Sequence, residues 1–164
     1  MRTNNKPVKV LFVCMGNICR SPSGEAVMNA YIKDAGLSDK ILCDSAGTIG
    51  FHAGNPADSR MQKHANKRNY RLTSISRQIN SSDFEEFDYI IGMDDENIHN
   101  MKHFMPSQSY ANKMSKMTDY CTNTNPGYVP DPYYGGDAGF EQVLDLLEDA
   151  CEGLLTKIRE ENDL

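Results

Sequence analysis

The sequence predicts a doubly wound α/β fold: a mostly parallel, four-stranded sheet with helices on both faces. Three observations carry that expectation. Short apolar runs rich in β-branched residues alternate with segments of helical apolar spacing. Gly, Asn and Pro fall at the junctions between them. Finally, no internal repeat or low-complexity linker interrupts the 164 residues, a length one core can serve. A single domain over 1–164 is expected, with 1–6 as a flexible N-terminal tail.

Residues 6–14 (KPVKVLFVC) form a nearly continuous apolar run, the pattern of a strand buried on both faces. Gly16 and Asn17 break it. Pro22 then marks a helix start behind the candidate cap Ser21, and Ala26, Val27, Ala30 and Tyr31 follow at helical spacing up to Gly36. Residues 40–45 and 88–93 read as the second and third strands, and 117–121 as a weak fourth. Helices are expected over 57–69, 95–104 and 137–161, the last carrying a stripe of Phe140, Val143, Leu144, Leu147, Ala150, Cys151, Leu154 and Ile158.

Composition narrows the function. A net charge of −6 argues against a nucleic-acid partner, which needs a basic face. The one basic cluster, Lys63, His64, Lys67, Arg68 and Arg71, reads as a solvated helix face. Five cysteines without framework spacing suit free thiols in a reducing compartment. No Cys/His pairing has zinc-site spacing, so no metal is expected. The apolar run 8–15 is too short, and too interrupted by Lys9, for a signal peptide or membrane span. A cytoplasmic, monomeric protein without cofactor or membrane contact is the resulting expectation.

In doubly wound sheets ligands bind beyond the carboxyl ends of the strands, so the loop after the first strand is where chemistry is sought. That loop runs Cys14, Met15, Gly16, Asn17, Ile18, Cys19, Arg20, Ser21. Five residues separate Cys14 from Arg20, enough for successive N–H groups to form an anion nest ahead of a helix N-terminus. Gly16 and Asn17 supply the backbone freedom such a nest needs. Arg20 offers a planar fork for two phosphate oxygens. Beside these donors the Cys14 thiol is expected to ionise near neutral pH, helped by the Ser21 hydroxyl. The loop thus brings a thiolate nucleophile to a phosphoryl-like oxyanion. On these residues alone, hydrolase and reductase both stand.

The string VCMGNICRSP closely resembles the N-terminal signature of the low-molecular-weight protein tyrosine phosphatases. The resemblance continues through SAGT at 45–48, the Asp58/Arg60 segment, SRQI at 76–79, FDYIIGMD at 87–94 and DPYYG at 131–135. It implies a flavodoxin-like phosphatase domain in which Cys14 is the nucleophile and Arg20 binds phosphate and stabilises the transition state. Asn17 and Ser45 match a pair supporting the loop, with Asp94 as a further support. Asp131 matches the general acid; read alone, its Pro- and Gly-rich surroundings look like a plain surface loop. Phe51, Tyr133 and Tyr134 match the aromatic walls of the substrate cleft, with Met15 and Ile18 beside them. Cys19 matches a second family cysteine, open between a redox partner for Cys14 and simple packing.

The implied activity is hydrolysis of phosphotyrosine and small aryl phosphates through a cysteinyl phosphate, inhibited by phosphate-like oxyanions and needing no metal. The rival on the same fold, an arsenate reductase, needs resolving cysteines, and Cys43, Cys121 and Cys151 form no close pair. One departure stands out. Ser74 occupies the place of a family histidine, which leaves the carboxyls of Glu25 and Asp44 without their expected cation.

Overall fold

The computed structural model describes residues 6–124, 126–133 and 135–164. β1 (Val8–Cys14), β2 (Ile41–Gly47), β3 (Tyr89–Gly92) and β4 (Met114–Lys116) form one sheet in the order β2-β1-β3-β4, every neighbouring pair parallel. The helices are α1 (Arg20–Asp34), α2 (Ser59–Asn66), α3 (Asp83–Glu86), α4 (Asp95–Met101) and α5 (Asp137–Asn162). The doubly wound fold is as the sequence predicts.

β1 is apolar throughout because it feeds two cores. Val8, Val10, Phe12 and Cys14 join the core shared with α1 and α5, while Leu11 and Val13 join the one under α3 and α4. From β1 the pairing runs to β2 on one side and to β3 on the other. The carboxyl end of β1 is therefore the switch point of the sheet, and Cys14 is its last residue.

Three local expectations are corrected. α1 starts at Arg20, two residues before Pro22, which sits in the first turn where an N–H has no intrahelical acceptor anyway. Ser21 is not its cap, because its hydroxyl and amide turn to the Cys14 sulfur instead. The fourth strand lies at Met114–Lys116, and Met117–Tyr120 is a 3-10 turn: the Asp119 carboxylate accepts from Lys116 N at 3.1 Å and curls the chain there.

The segment after that turn is pinned by α5. Asp149 accepts from the backbone N–H groups of Thr122, Asn123 and Thr124 and from both threonine hydroxyls, at 3.0–3.2 Å. Gly153 lets α5 press against the Tyr120 carbonyl, where any Cβ would collide. No helix among the described residues is long and apolar enough to cross a membrane. The expected tail falls almost wholly outside the described residues; Lys6, its last residue, is exposed.

Of the basic cluster, Lys63, Lys67 and Arg71 are exposed as a solvated face would be, but His64 and Arg68 are not. His64 is buried between Asp137 and Glu141 and stacks on Phe140, and Arg68 pairs with Glu141, Asp145 and Glu148. The acidic α5 sits opposite, so these two side chains join two helices.

Candidate active site

The loop leaving β1 is shaped by its carbonyls, each tied outward. Cys14 O accepts from Thr48 N at 2.9 Å, Met15 O from Ile49 N at 3.1 Å and Ile18 O from Asp58 N at 2.8 Å. Gly16 O takes the Ser76 hydroxyl at 3.0 Å, and Cys19 O takes Ser23 Oγ at 2.7 Å. None of the described residues, by contrast, accepts from the backbone N–H groups of Met15 through Arg20. A run of amides with its carbonyls engaged elsewhere is an anion nest.

Asn17 makes the turn possible. It sits at φ 56°, donates from Nδ2 to Ser21 Oγ at 2.8 Å, and accepts the Arg77 N–H on Oδ1 at 3.0 Å. Ser45, expected as its companion, faces elsewhere: its hydroxyl reaches Ser74 Oγ at 3.5 Å on the side of Glu25. The Ser76–Gln78 segment supports the loop instead, with Arg77 O accepting Gly47 N at 2.8 Å. SRQI belonged to the resemblance, but nothing in its spacing indicated that contact. Gly47 is required here, since a Cβ would lie 2.7 Å from Met15 O.

Cys14 Sγ lies 3.0 Å from Ser21 Oγ and 3.4 Å from Ser21 N. Asn17 donates to the hydroxyl oxygen, and the one hydroxyl proton faces both Ala46 O at 3.3 Å and the Cys14 sulfur, which as a thiolate is the stronger acceptor. Arg20 is almost fully buried at the base of the site. Its Nη1 donates to Asp94 Oδ2 at 2.6 Å and to Val129 O at 3.1 Å, leaving Nη2 3.8 Å from Asp131 Oδ2. Asp94 therefore orients the arginine as well as capping α4 through Asn97 N.

These groups open into one cleft of about 210 Å³, lined by Cys14, Met15, Gly16, Ile18, Cys19, Arg20, Ile49, Phe51, His52, Asp131 and Tyr133. Phe51 is 82% exposed and Tyr133 38%, as rim residues are. Tyr134 lies outside the described residues. His52 and Ile49 were not foreseen; both follow from the loop that also carries Phe51. Burial, and then the charges of Asp58, Cys14 and Asp131, push the Cys19 thiol well above its ordinary value. Of the two readings left open for Cys19, these surroundings favour packing.

The cation missing at Ser74 is supplied from another position. Arg77 bridges Asp44 at 3.0 Å and Asp83 at 3.0 Å. Glu25 stays without a direct ion pair among the described residues, and burial lifts its carboxyl to about 7 despite the Ser45 hydroxyl.

Residues 9–164 match the family model for low molecular weight phosphotyrosine protein phosphatase. A Synechocystis protein that carries a low molecular weight protein-tyrosine-phosphatase name is 51% identical over 94% of this chain and 98% of its own length. The human low molecular weight phosphotyrosine protein phosphatase is 35% identical, covering 90% and 94%. A crystal structure of an Entamoeba histolytica protein tyrosine phosphatase with Hepes in the active site superposes with a TM-score of 0.91 at 52% identity, covering 96% of this chain and 99% of that one. A Drosophila structure described as an arginine phosphatase gives 0.86 at 30% identity, covering 93% and 98%. By sequence over nearly its full length and by fold, the chain belongs to the low molecular weight phosphotyrosine protein phosphatase family.

Proposed function

We propose that this enzyme hydrolyses protein phosphotyrosine, and small aryl phosphates, through a phosphate ester on Cys14. The observation that carries the reading is the Cys14 sulfur held by Ser21 at the mouth of six consecutive amides with no acceptor among the described residues, with Arg20 and Asp131 on the same cleft.

The chemistry runs in two displacements. The Cys14 thiolate attacks phosphorus, and the bond to the tyrosyl oxygen breaks as Asp131 hands that oxygen a proton. The loop amides and Arg20 bind the three equatorial oxygens, on which transition-state charge is spread. Asp131, now ionised, takes a proton from water as the water oxygen attacks the thiophosphate. Inorganic phosphate leaves and the Cys14 thiolate returns, stabilised as a leaving group by Ser21. Met15, Ile18, Phe51 and Tyr133 line the cleft and form apolar walls that suit an aryl ring.

An arsenate reductase is not favoured. Burial pushes the thiols of Cys43, Cys151 and Cys121 up, against the thiolate a resolving residue must supply. A free thiol nucleophile works in a reducing compartment, which supports a cytoplasmic setting, and an amide nest built for phosphate implies inhibition by vanadate.

The test compares rates on phosphotyrosyl, phosphoseryl and phosphoarginyl peptides, and on arsenate with a thiol reductant. Preference for phosphotyrosine, lost in Cys14→Ser with vanadate binding retained, is the expected result. Faster turnover of phosphoarginine, or thiol-dependent arsenate reduction, would replace this reading.

A further inference from the structure

Asp131 stands between two prolines, so the residues on either side of it have no N–H with which to tie the loop down. Its near end is fastened below: Val129 N donates to Met93 O at 2.9 Å and Arg20 Nη1 to Val129 O. Beyond Asp131 two bonds are internal to the loop. Tyr133 N donates to Asp131 Oδ1 at 3.0 Å, and Gly135 N donates to Pro132 O at 2.9 Å. These set the shape of the turn without attaching it to the body of the protein.

Arg20 Nη2 lies 3.8 Å from Asp131 Oδ2 on the inner side, and α2 adds an attachment from the other. Arg60 Nη2 donates to Tyr133 O at 3.1 Å, and its guanidinium lies over the rings of Tyr133, at 5.3 Å, and Phe140, at 5.0 Å. Arg60 is itself aimed by Asp58, whose two carboxylate oxygens accept from Nε at 3.3 Å and Nη2 at 3.2 Å. Asp58 is the N-cap of α2, accepting from the N–H groups of Arg60 and Met61. Its own N–H donates to Ile18 O, a carbonyl of the nucleophile loop. A continuous path thus runs Ile18, Asp58, Arg60, Tyr133, Asp131.

We propose that Arg60 is a positioning residue of the reaction, registering the acid on Asp131 against the loop that carries Cys14. This rests on the reading of Asp131 as the general acid. Arg60 makes no contact with the reacting atoms; it acts through the Tyr133 carbonyl and the turn that Tyr133 N closes on Asp131. A planar fork is needed, because one guanidinium must serve Asp58, the Tyr133 carbonyl and two ring faces together.

Misplacing a proton donor by about an ångström costs up to roughly 10²-fold in rate, and the cost falls on substrates that need the proton. Arg60→Ala is therefore expected to lower kcat/KM, which reports the first displacement, on phenyl phosphate by about 10-fold and on p-nitrophenyl phosphate by less than about 3-fold. Vanadate affinity should stay as in the wild type. In an Asp131→Ala background the same change should have no further effect on either substrate. Arg60→Lys, which keeps the charge and loses the fork, should show the same pattern at smaller size, and it carries the test if Arg60→Ala does not fold. Equal losses of kcat/KM on both substrates, a loss that multiplies with Asp131→Ala, or weakened vanadate binding would overturn the proposal. Asp131→Ala alone separates the two readings. If it shows no leaving-group dependence, the general-acid assignment fails; if it does and the Arg60 variants do not, only the role of Arg60 fails.

Discussion

Arg77 holds Asn17 from sixty residues away: its backbone N–H donates to Asn17 Oδ1 at 3.0 Å, while Asn17 Nδ2 donates to Ser21 beside Cys14. The left-handed backbone at Asn17, φ 56°, is thus locked by its own side chain acting in two directions. The cost of that conformation is of order 1–3 kcal/mol and is offset by these bonds.

Asn17→Ala keeps the unfavourable conformation and loses both bonds. It is expected to reduce kcat/KM on aryl phosphates by roughly 10–100-fold, with weaker phosphate inhibition, since the amide nest itself loosens. Asn17→Gly relieves the backbone but not the bonds, and should recover only part. Steady-state kinetics with a phosphate Ki decide it; full activity in Asn17→Ala would show the loop holds its shape without this residue.

Glu25 makes stability depend on pH. Its folded pKa, about 7, is raised above the ordinary 4.5 by burial, more than the Ser45 hydroxyl and Arg77 bring it down, with Asp44 adding to the rise. Both states hold the proton below about 4.5, so stability is fully present there and is lost as pH rises through 7. Glu25→Gln should remove that loss and be more stable than the wild type at pH 8 by on the order of 1–3 kcal/mol. Urea unfolding across pH 5–8 reads it, and parallel curves for the two proteins would rule it out.

Asp149 acts with the opposite sign. Burial works against its ionised form, but the N–H groups of Thr122, Asn123 and Thr124 outweigh it and bring the carboxyl down from 3.8 to about 2. That stabilisation is present above 3.8 and is lost as pH falls through 2. Asp149→Asn should cost roughly 1–3 kcal/mol at neutral pH and speed amide exchange at 122–124. Unchanged exchange there would mean the segment is held by other contacts.

Gly153 separates local propensity from packing. In a helix interior Ala is better than Gly by roughly 1 kcal/mol, so propensity alone predicts that Gly153→Ala stabilises α5. The Tyr120 carbonyl occupies the space of the new methyl group, so a loss of about 1–3 kcal/mol is expected instead. A raised Tm would show that the 3-10 turn yields easily.

How legible the protein was depends on the range of the interaction concerned. Cys14, Asn17, Arg20 and Ser21 stand within eight residues, and a strand, a nest and a helix start are local objects. Their chemistry could be read from residue type and spacing, as could the two-sided burial of β1. The short fourth strand was misplaced by three residues because Met114–Lys116 has no apolar run, and its pairing comes wholly from β3. His64 and Arg68 were read as solvated because a helix shows its own charges and not the acidic α5 packed against them.

The order of strands and helices and the amide-rich loop between Cys14 and Ser21 were determined by the sequence itself, since apolar periodicity and backbone freedom act over a few residues. Which polar groups meet was decided only by the tertiary structure. Asp94 meets Arg20 across 74 positions, Arg77 meets Asn17 across 60 and Arg60 meets Tyr133 across 73. A hydrogen bond is directional and short in reach, so its partner is set by where the sheet brings the chain back, which no local pattern encodes.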